Sequence, residues 1–241
     1  MGGVGGSFRL RPGGRHFVRP GQTGPGVLYF PRTALEQPFF PGSMDSDENK
    51  NKDGQDDGGG LLGRLLESRT VIISGQTDSQ LAQKVIQQLI LLDHADAKTR
   101  ITLLINSPGG EVFSGFAIFD TARFIAAPIL TVVVGLAASM GSILALAAPK
   151  GSRYATPNAK FLIHQPLLMG YQGRAIDLEI QAKEILKDRD RIIRLYAEST
   201  GRDPKDISHD IDRDKWMTAE EALDYGLVDR IVKSRSELPA A

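Results

Sequence analysis

No cysteine occurs among the 241 residues. That absence removes a disulfide framework, a thiolate nucleophile and a zinc-thiolate centre, while leaving the redox compartment open. An excess of charge of one sign is lacking too: 29 Lys plus Arg offset 29 Asp plus Glu. With no global field to recruit nucleic acid or anionic lipid, neither is expected as a partner. Histidine is scarce, so any imidazole chemistry must come from His16, His94, His164 or His209. No G-x-x-x-x-G-K-[ST] run is present, which excludes nucleotide hydrolysis by a P-loop. A long apolar helix is missing as well. The uncharged stretch 124–149, between Arg123 and Lys150, is long enough to span a bilayer. Pro128, the β-branched run at 131–134, Gly135 and Gly141 make it read instead as buried strand, tight turn and helix, so no membrane association is expected.

Order is short at the N-terminus. Of 26 glycines, 14 fall within residues 1–60, together with Pro12, Pro20, Pro25, Pro31, Pro38 and Pro41. Such composition cannot bury a core, and residues 44–57 are polar and mostly acidic, so residues 1–60 are expected to be a disordered extension. The leader 1–43 carries five Arg and one acid, Glu36. It partly resembles a plastid or mitochondrial transit peptide, but has only Ser7 and Ser43 and no amphipathic helix. A start at Met44 is the other reading, and a cytoplasmic location is the default expectation. N-terminal myristoylation is excluded by Gly6.

From Leu61 the texture changes. Short apolar runs, TVIIS, ITLLIN, TVVVG and KFLIH, alternate with helical patterns and Gly or Pro punctuation, which predicts an α/β domain over 61–241. Leu81, Val85, Leu89 and Leu92 share helical spacing, and 175–196 reads as a long charged helix with Ile176, Ile180, Ile192 and Tyr196 on or near one face. Both helices are expected to face a core or an interface. TAEE at 218–221 offers a capping box, and Gly226 a helix stop.

Three loops could carry chemistry. His164 closes the apolar run FLI, so a buried strand would deliver an imidazole to an edge; as a lone signal it better suits a strand-end His hydrogen-bonded for stability. GLAASMGS, 135–142, follows TVVV, and its small residues allow a sharp strand-to-helix turn raising Ser139 at a helix start. Ala137 stands where a G-x-S-x-G elbow has its first glycine, and close helix packing would also explain the small residues. INSPGG, 105–110, leaves its backbone uncovered at Gly109 and Gly110, which suits an oxyanion hole or simply a turn. Candidate orienting carboxylates are Asp210, Asp212 and Asp214, among which spacing does not choose.

INSPGG, GLAASMGS, FLIHQP, GYQGRAIDLEIQAKEIL and DIDRDKWMTAEEALDYGLVD closely resemble, in order and spacing, the ClpP family of Clp protease proteolytic subunits, over about residues 61–235. The resemblance implies a ClpP/crotonase-like fold of repeated β-β-α units with a protruding handle helix. It implies a Ser139 nucleophile, a His164 base and an orienting Asp214, with Gly110 and Met140 donating oxyanion amides. Substrate would lie extended against Gly110, Glu111 and Val112 on one side and Leu167 on the other. Two stacked heptamers of this chain would enclose unfolded protein substrates, with Gln172, Asp212 and Arg213 at the ring–ring contact. No metal or cofactor is implied, since ATP would be used by a separate Clp-family AAA+ unfoldase. Thr102 and Leu104 stand where family members often carry aromatics that line the unfoldase-docking pocket. The alternatives are a scaffolding or catalytic isoform of a mixed ring, and a crotonase-type acyl-CoA enzyme, which would have no use for the three triad residues. The order Ser, His, Asp also differs from that of α/β-hydrolases.

Overall fold

The computed structural model describes residues 60–167 and 172–239. The expected N-terminal extension, save Gly60, thus lies outside the described residues, as do Gly170 and Tyr171 before the long helix. Strands and helices alternate as the apolar runs predict: α1 (Leu61–Glu67), β1 (Thr70–Ser74), α2 (Ser79–Ala95), β2 (Ile101–Ser107), α3 (Val112–Phe124), β3 (Ile129–Ala138), α4 (Met140–Ala145), β4 (Arg153–Ala155), β5 (Lys160–Ile163), α5 (Ala175–Thr200), α6 (Pro204–Asp210), β6 (Lys215–Thr218), α7 (Ala219–Tyr225) and β7 (Arg230–Ile231). The fold class is α/β, as expected.

The main sheet runs β1-β2-β3-β4-β7, all parallel. Parallel neighbours need a crossover, and α2 and α3 supply the first two. β3 then forks: residues 131–133 pair with β4, whereas residues 136–138 pair with β5, itself antiparallel to β6. This fork sets the ends of β3 and β5 side by side.

Burial follows the two periods. On β2, Ile101, Leu103 and Ile105 are fully buried, while Thr102 and Leu104 alternate onto the other, partly exposed face. On α2 the buried positions are Ala82, Val85, Leu89 and Leu92, with Leu81 only partly buried against the core. Fully burying a side chain such as Leu89 contributes ~1.5–3 kcal/mol. Asp78 caps α2 by accepting the Leu81 amide at 2.8 Å. The uncharged stretch 124–149 is consumed by β3 and α4, the latter buried throughout. Among the described residues no helix is long and apolar enough to cross a membrane.

α5 departs from a uniform core stripe. Ile192 and Tyr196 are buried, but Ile176 is 58% and Ile180 51% exposed. The apolar face is continuous in sequence, yet only its C-terminal half has a core to meet. α7 carries the expected reciprocal cap between Thr218 and Glu221, and Gly226 ends it in the left-handed region at φ 92°.

Candidate active site

Ser139 stands at the junction of β3 and α4 with φ 53° and ψ −121°. Few residues with a Cβ adopt this region, and such strain costs ~1–3 kcal/mol, so the surroundings must hold it. They do so through the backbone. The Ser139 amide donates to Leu162 O at 2.9 Å, and its carbonyl accepts from the Ser142 amide at 3.0 Å and the Ser142 hydroxyl at 2.6 Å. The turn forms although Ala137 lacks the elbow glycine, because the close approach occurs elsewhere. A Cβ on Gly109 would lie 2.6 Å from Ala138 O, 2.7 Å from Ser139 Cβ and 2.9 Å from Met140 N, and one on Gly141 would lie 2.7 Å from Ser107 O. Glycine at 109 and 141 lets the INSPGG loop press against the turn.

That loop is fixed by buried hydroxyls. Ser107 Oγ donates to Gly75 O at 2.7 Å and accepts from the Gly109 amide at 3.1 Å, with Thr77 Oγ1 3.2 Å away. Thr77 and Gly110 form a parallel bridge in which the Thr77 amide donates to Gly109 O and the Glu111 amide to Thr77 O. Because alternate residues of an extended chain point their polar groups to opposite edges, the Gly110 amide is turned away from Thr77 and is not spent on it. Thr77 was not distinguished by the sequence: a lone Thr after a strand has no signal until the two loops meet. The extended backbone ends at Glu111, which accepts Ser114 Oγ at 2.6 Å, and Val112 opens α3. Of the segment 110–112 expected to lie extended, Val112 is therefore helical and only Gly110 and Glu111 are extended.

His164 follows β5 directly. Ala138 of β3 pairs with Leu162 of β5 in parallel, so Ser139 and His164 leave adjacent strands at the same end. The antiparallel register Ile163↔Lys215 then sets Asp214 opposite His164, and Asp214 Oδ1 lies 3.1 Å from His164 Nδ1. The imidazole is largely covered, at 17% side-chain exposure, and the carboxylate is open at 62%. Among the described residues no hydrogen bond joins Ser139 Oγ to the ring; one of the two expected triad contacts is made. Leu167 and Gln172 are both exposed.

The three candidate carboxylates now differ. Asp212 meets Gln165 and Arg213 at the surface, its Oδ2 3.2 Å from Arg213 Nη1. Asp210 accepts from Lys215 Nζ at 2.7 Å and from the Tyr225 hydroxyl at 2.8 Å. Burial works to raise its pKa, but the hydrogen bonds from Lys215 and Tyr225 and the charges of Lys215 and Arg202 outweigh it and hold the carboxyl below its ordinary value. A depressed folded-state pKa gives stability that is present above the unfolded value of about 3.9 and lost as pH falls through the folded one. Asp210→Asn is expected to destabilise by about 1–3 kcal/mol at neutral pH, the worth of hydrogen bonds to a charged group. The gap from the parent should narrow in melts below pH ~4, where the unfolded chain's carboxyl takes up a proton while the native one is still ionised; a gap independent of pH would mean the charge contributes nothing.

The Clp protease family model matches residues 54–235. The chain is 44% identical over 194 residues to the ATP-dependent Clp protease proteolytic subunit 2 of Treponema denticola, covering 80% of this chain and 96% of that protein. It is 50% identical over 175 residues to the proteolytic subunit 1 of Protochlamydia amoebophila, covering 72% and 85%. It is 44% identical over 178 residues to the proteolytic subunit of Ligilactobacillus salivarius, covering 74% and 90%. The crotonase-type alternative has no such support. By sequence over three quarters of its length, the chain belongs to the Clp protease family and is a peptidase subunit.

Proposed function

We propose that the chain is the serine endopeptidase of an ATP-dependent Clp protease, with Ser139 as nucleophile. The observation that carries this reading is the delivery of a strained serine and a carboxylate-paired histidine by the ends of two adjacent parallel strands. Asp214 holds the proton on His164 Nδ1, leaving Nε2 to accept the Ser139 Oγ proton as Oγ attacks the peptide carbonyl. The oxyanion is received by the amides of Gly110 and Met140. Met140 is the first residue of α4, where helix amides have no intrahelical partner. Collapse expels the amine, which takes the proton from His164, and water attacking the acyl-enzyme repeats the cycle in reverse. Extended backbone before α3, with the exposed Leu167 as the expected opposite side, suits pairing with substrate main chain and hence weak sequence selectivity. No metal or cofactor takes part.

Assembly is part of the reading. The exposed apolar residues Ile176, Ile180 and Leu186 on α5 need a partner surface; Gln172, just before α5, and Asp212 and Arg213, in the turn after α6, are exposed as well. We place them at the equator of two stacked heptamers of this chain, working in the cytoplasm. Asp214 follows Asp212 and Arg213 directly, so docking of rings would cover its open carboxylate and draw Ser139 and His164 together. Single heptamers are then expected to be inactive; full peptidase activity in one would contradict the coupling. A cavity of about 610 Å³ away from the triad is lined by Thr102, Leu104, Val132 and Val134, with Arg69 and Arg235 among its polar residues. This cavity would receive an AAA+ unfoldase.

A fluorophosphonate probe should label Ser139, and the assembled protein should cleave a short fluorogenic peptide alone but a folded protein only with a Clp ATPase and ATP. Labelling elsewhere, with peptide cleavage intact, would overturn the assigned nucleophile.

A further inference from the structure

Behind the strained serine lies a pair of buried hydroxyls that the triad does not use. Ser142 Oγ donates to Ser139 O at 2.6 Å and lies 2.7 Å from the hydroxyl of Tyr196, which reaches in from α5. Ser142 is 0% and Tyr196 1% exposed. The Ser142 proton is spent on the carbonyl, so in the second contact the tyrosine must donate. The direction of the chain is thereby set: Tyr196 O–H to Ser142 Oγ, Ser142 O–H to Ser139 O.

The carbonyl at the end of this chain belongs to the peptide whose nitrogen is that of Met140. A peptide unit is planar, so holding its oxygen on one side holds its N–H on the other. We infer that Ser142 and Tyr196 are positioning residues for the oxyanion hole, fixing the Ser139–Met140 peptide so that the Met140 amide stays turned toward the substrate carbonyl. The inference rests on the assignment of Ser139 and Met140 made above.

Several arguments converge on it. Core packing does not explain the pair: Ala and Phe would fill the same space without burying two hydroxyls, which is costly unless each is satisfied. Without the hydroxyl, that carbonyl would keep only the Ser142 amide at 3.0 Å and the longer Ile143 amide contact at 3.4 Å, in a strained conformation that needs firm tethers. Hydrogen bonds in series also polarise one another, so a carbonyl that accepts from Ser142 makes the amide across the bond a better donor. Burial pushes the Tyr196 pKa far above its ordinary value, so the hydroxyl keeps its proton at any working pH.

The test uses the assembled full-length protein, with Tyr196→Phe, Ser142→Ala and the double variant, each checked for ring size and melting temperature. A peptide boronate, which forms a tetrahedral adduct on the nucleophile, reports the oxyanion hole; KM for a fluorogenic peptide reports ground-state binding. Losing one hydrogen bond in this chain is expected to lower kcat roughly 3- to 10-fold. Boronate affinity should fall by the same factor, with KM unmoved. The double variant should be no worse than Ser142→Ala, because Tyr196 acts only through Ser142. Wild-type kcat and boronate affinity in Tyr196→Phe, multiplying effects in the double variant, or losses confined to KM or ring size would overturn the inference. Fluorophosphonate labelling of the unaltered protein separates the two layers. If Ser139 does not label, the nucleophile assignment falls and this inference with it. If Ser139 labels and Tyr196→Phe behaves as the parent, only the inference falls.

Discussion

Ser139→Ala is expected to lower fluorogenic peptide cleavage by ~10⁴- to 10⁶-fold, the range over which triad serines are lost elsewhere, without loss of ring assembly. The side chain is small and half-buried, and the turn is held by its backbone, so nothing structural depends on Oγ. His164→Ala should cost about as much, and the double variant no more than either single one, because the two act as a unit. Asp214→Asn should cost on the order of 10⁴ in kcat by presenting the wrong tautomer to the serine. Its 3.1 Å contact with His164 is already in place in the isolated chain. Substantial cleavage by purified Ser139→Ala would remove the proposed mechanism outright.

Gly109→Ala is expected to reduce kcat by ~10²- to 10³-fold, the worth of a misplaced oxyanion donor. The added Cβ would meet Ala138 O, Ser139 Cβ and Met140 N, all closer than real side chains tolerate. The loop carrying the Gly110 amide must then retreat from the turn carrying the Met140 amide. Gly151 is the control. It too has positive φ, 94° against 89° at Gly109, but an added Cβ there meets nothing within 4 Å. Gly151→Ala should therefore show the left-handed backbone penalty of about 1–2 kcal/mol in stability with peptide cleavage unchanged. Equal losses of activity in both variants would show that strain, and not the contact with the turn, governs position 109.

Much of this was legible before any coordinates. The α/β alternation, the capping box at Thr218 and the left-handed stop at Gly226 follow from local spacing, and local spacing is where secondary structure is encoded. The small residues of GLAASMGS announced a tight turn, and the glycines of INSPGG an uncovered backbone. Other features depended on neighbours. Ile176 and Ile192 are indistinguishable by periodicity, yet one is exposed and the other buried, because a hydrophobic stripe does not state where its partner surface ends. Asp210, Asp212 and Asp214 are likewise equivalent as a string of acids. The antiparallel register decides among them: Ile163↔Lys215 sets Asp214 opposite His164, whereas Asp210 ends α6 and Asp212 lies in the turn that follows.

By itself the sequence determined which chemistry was available: a serine, an imidazole and a carboxylate, with no thiol, no P-loop and no field to draw a polyanion. Tertiary structure alone decided which acid meets the imidazole, that Thr77 turns the Gly110 amide outward, and that a tyrosine on α5 stands behind the Ser139–Met140 peptide. The reason is physical. Residue types and short periods are properties of a chain segment, whereas register, close approach and buried hydroxyl pairs belong to segments 30 to 54 residues apart that only folding brings together.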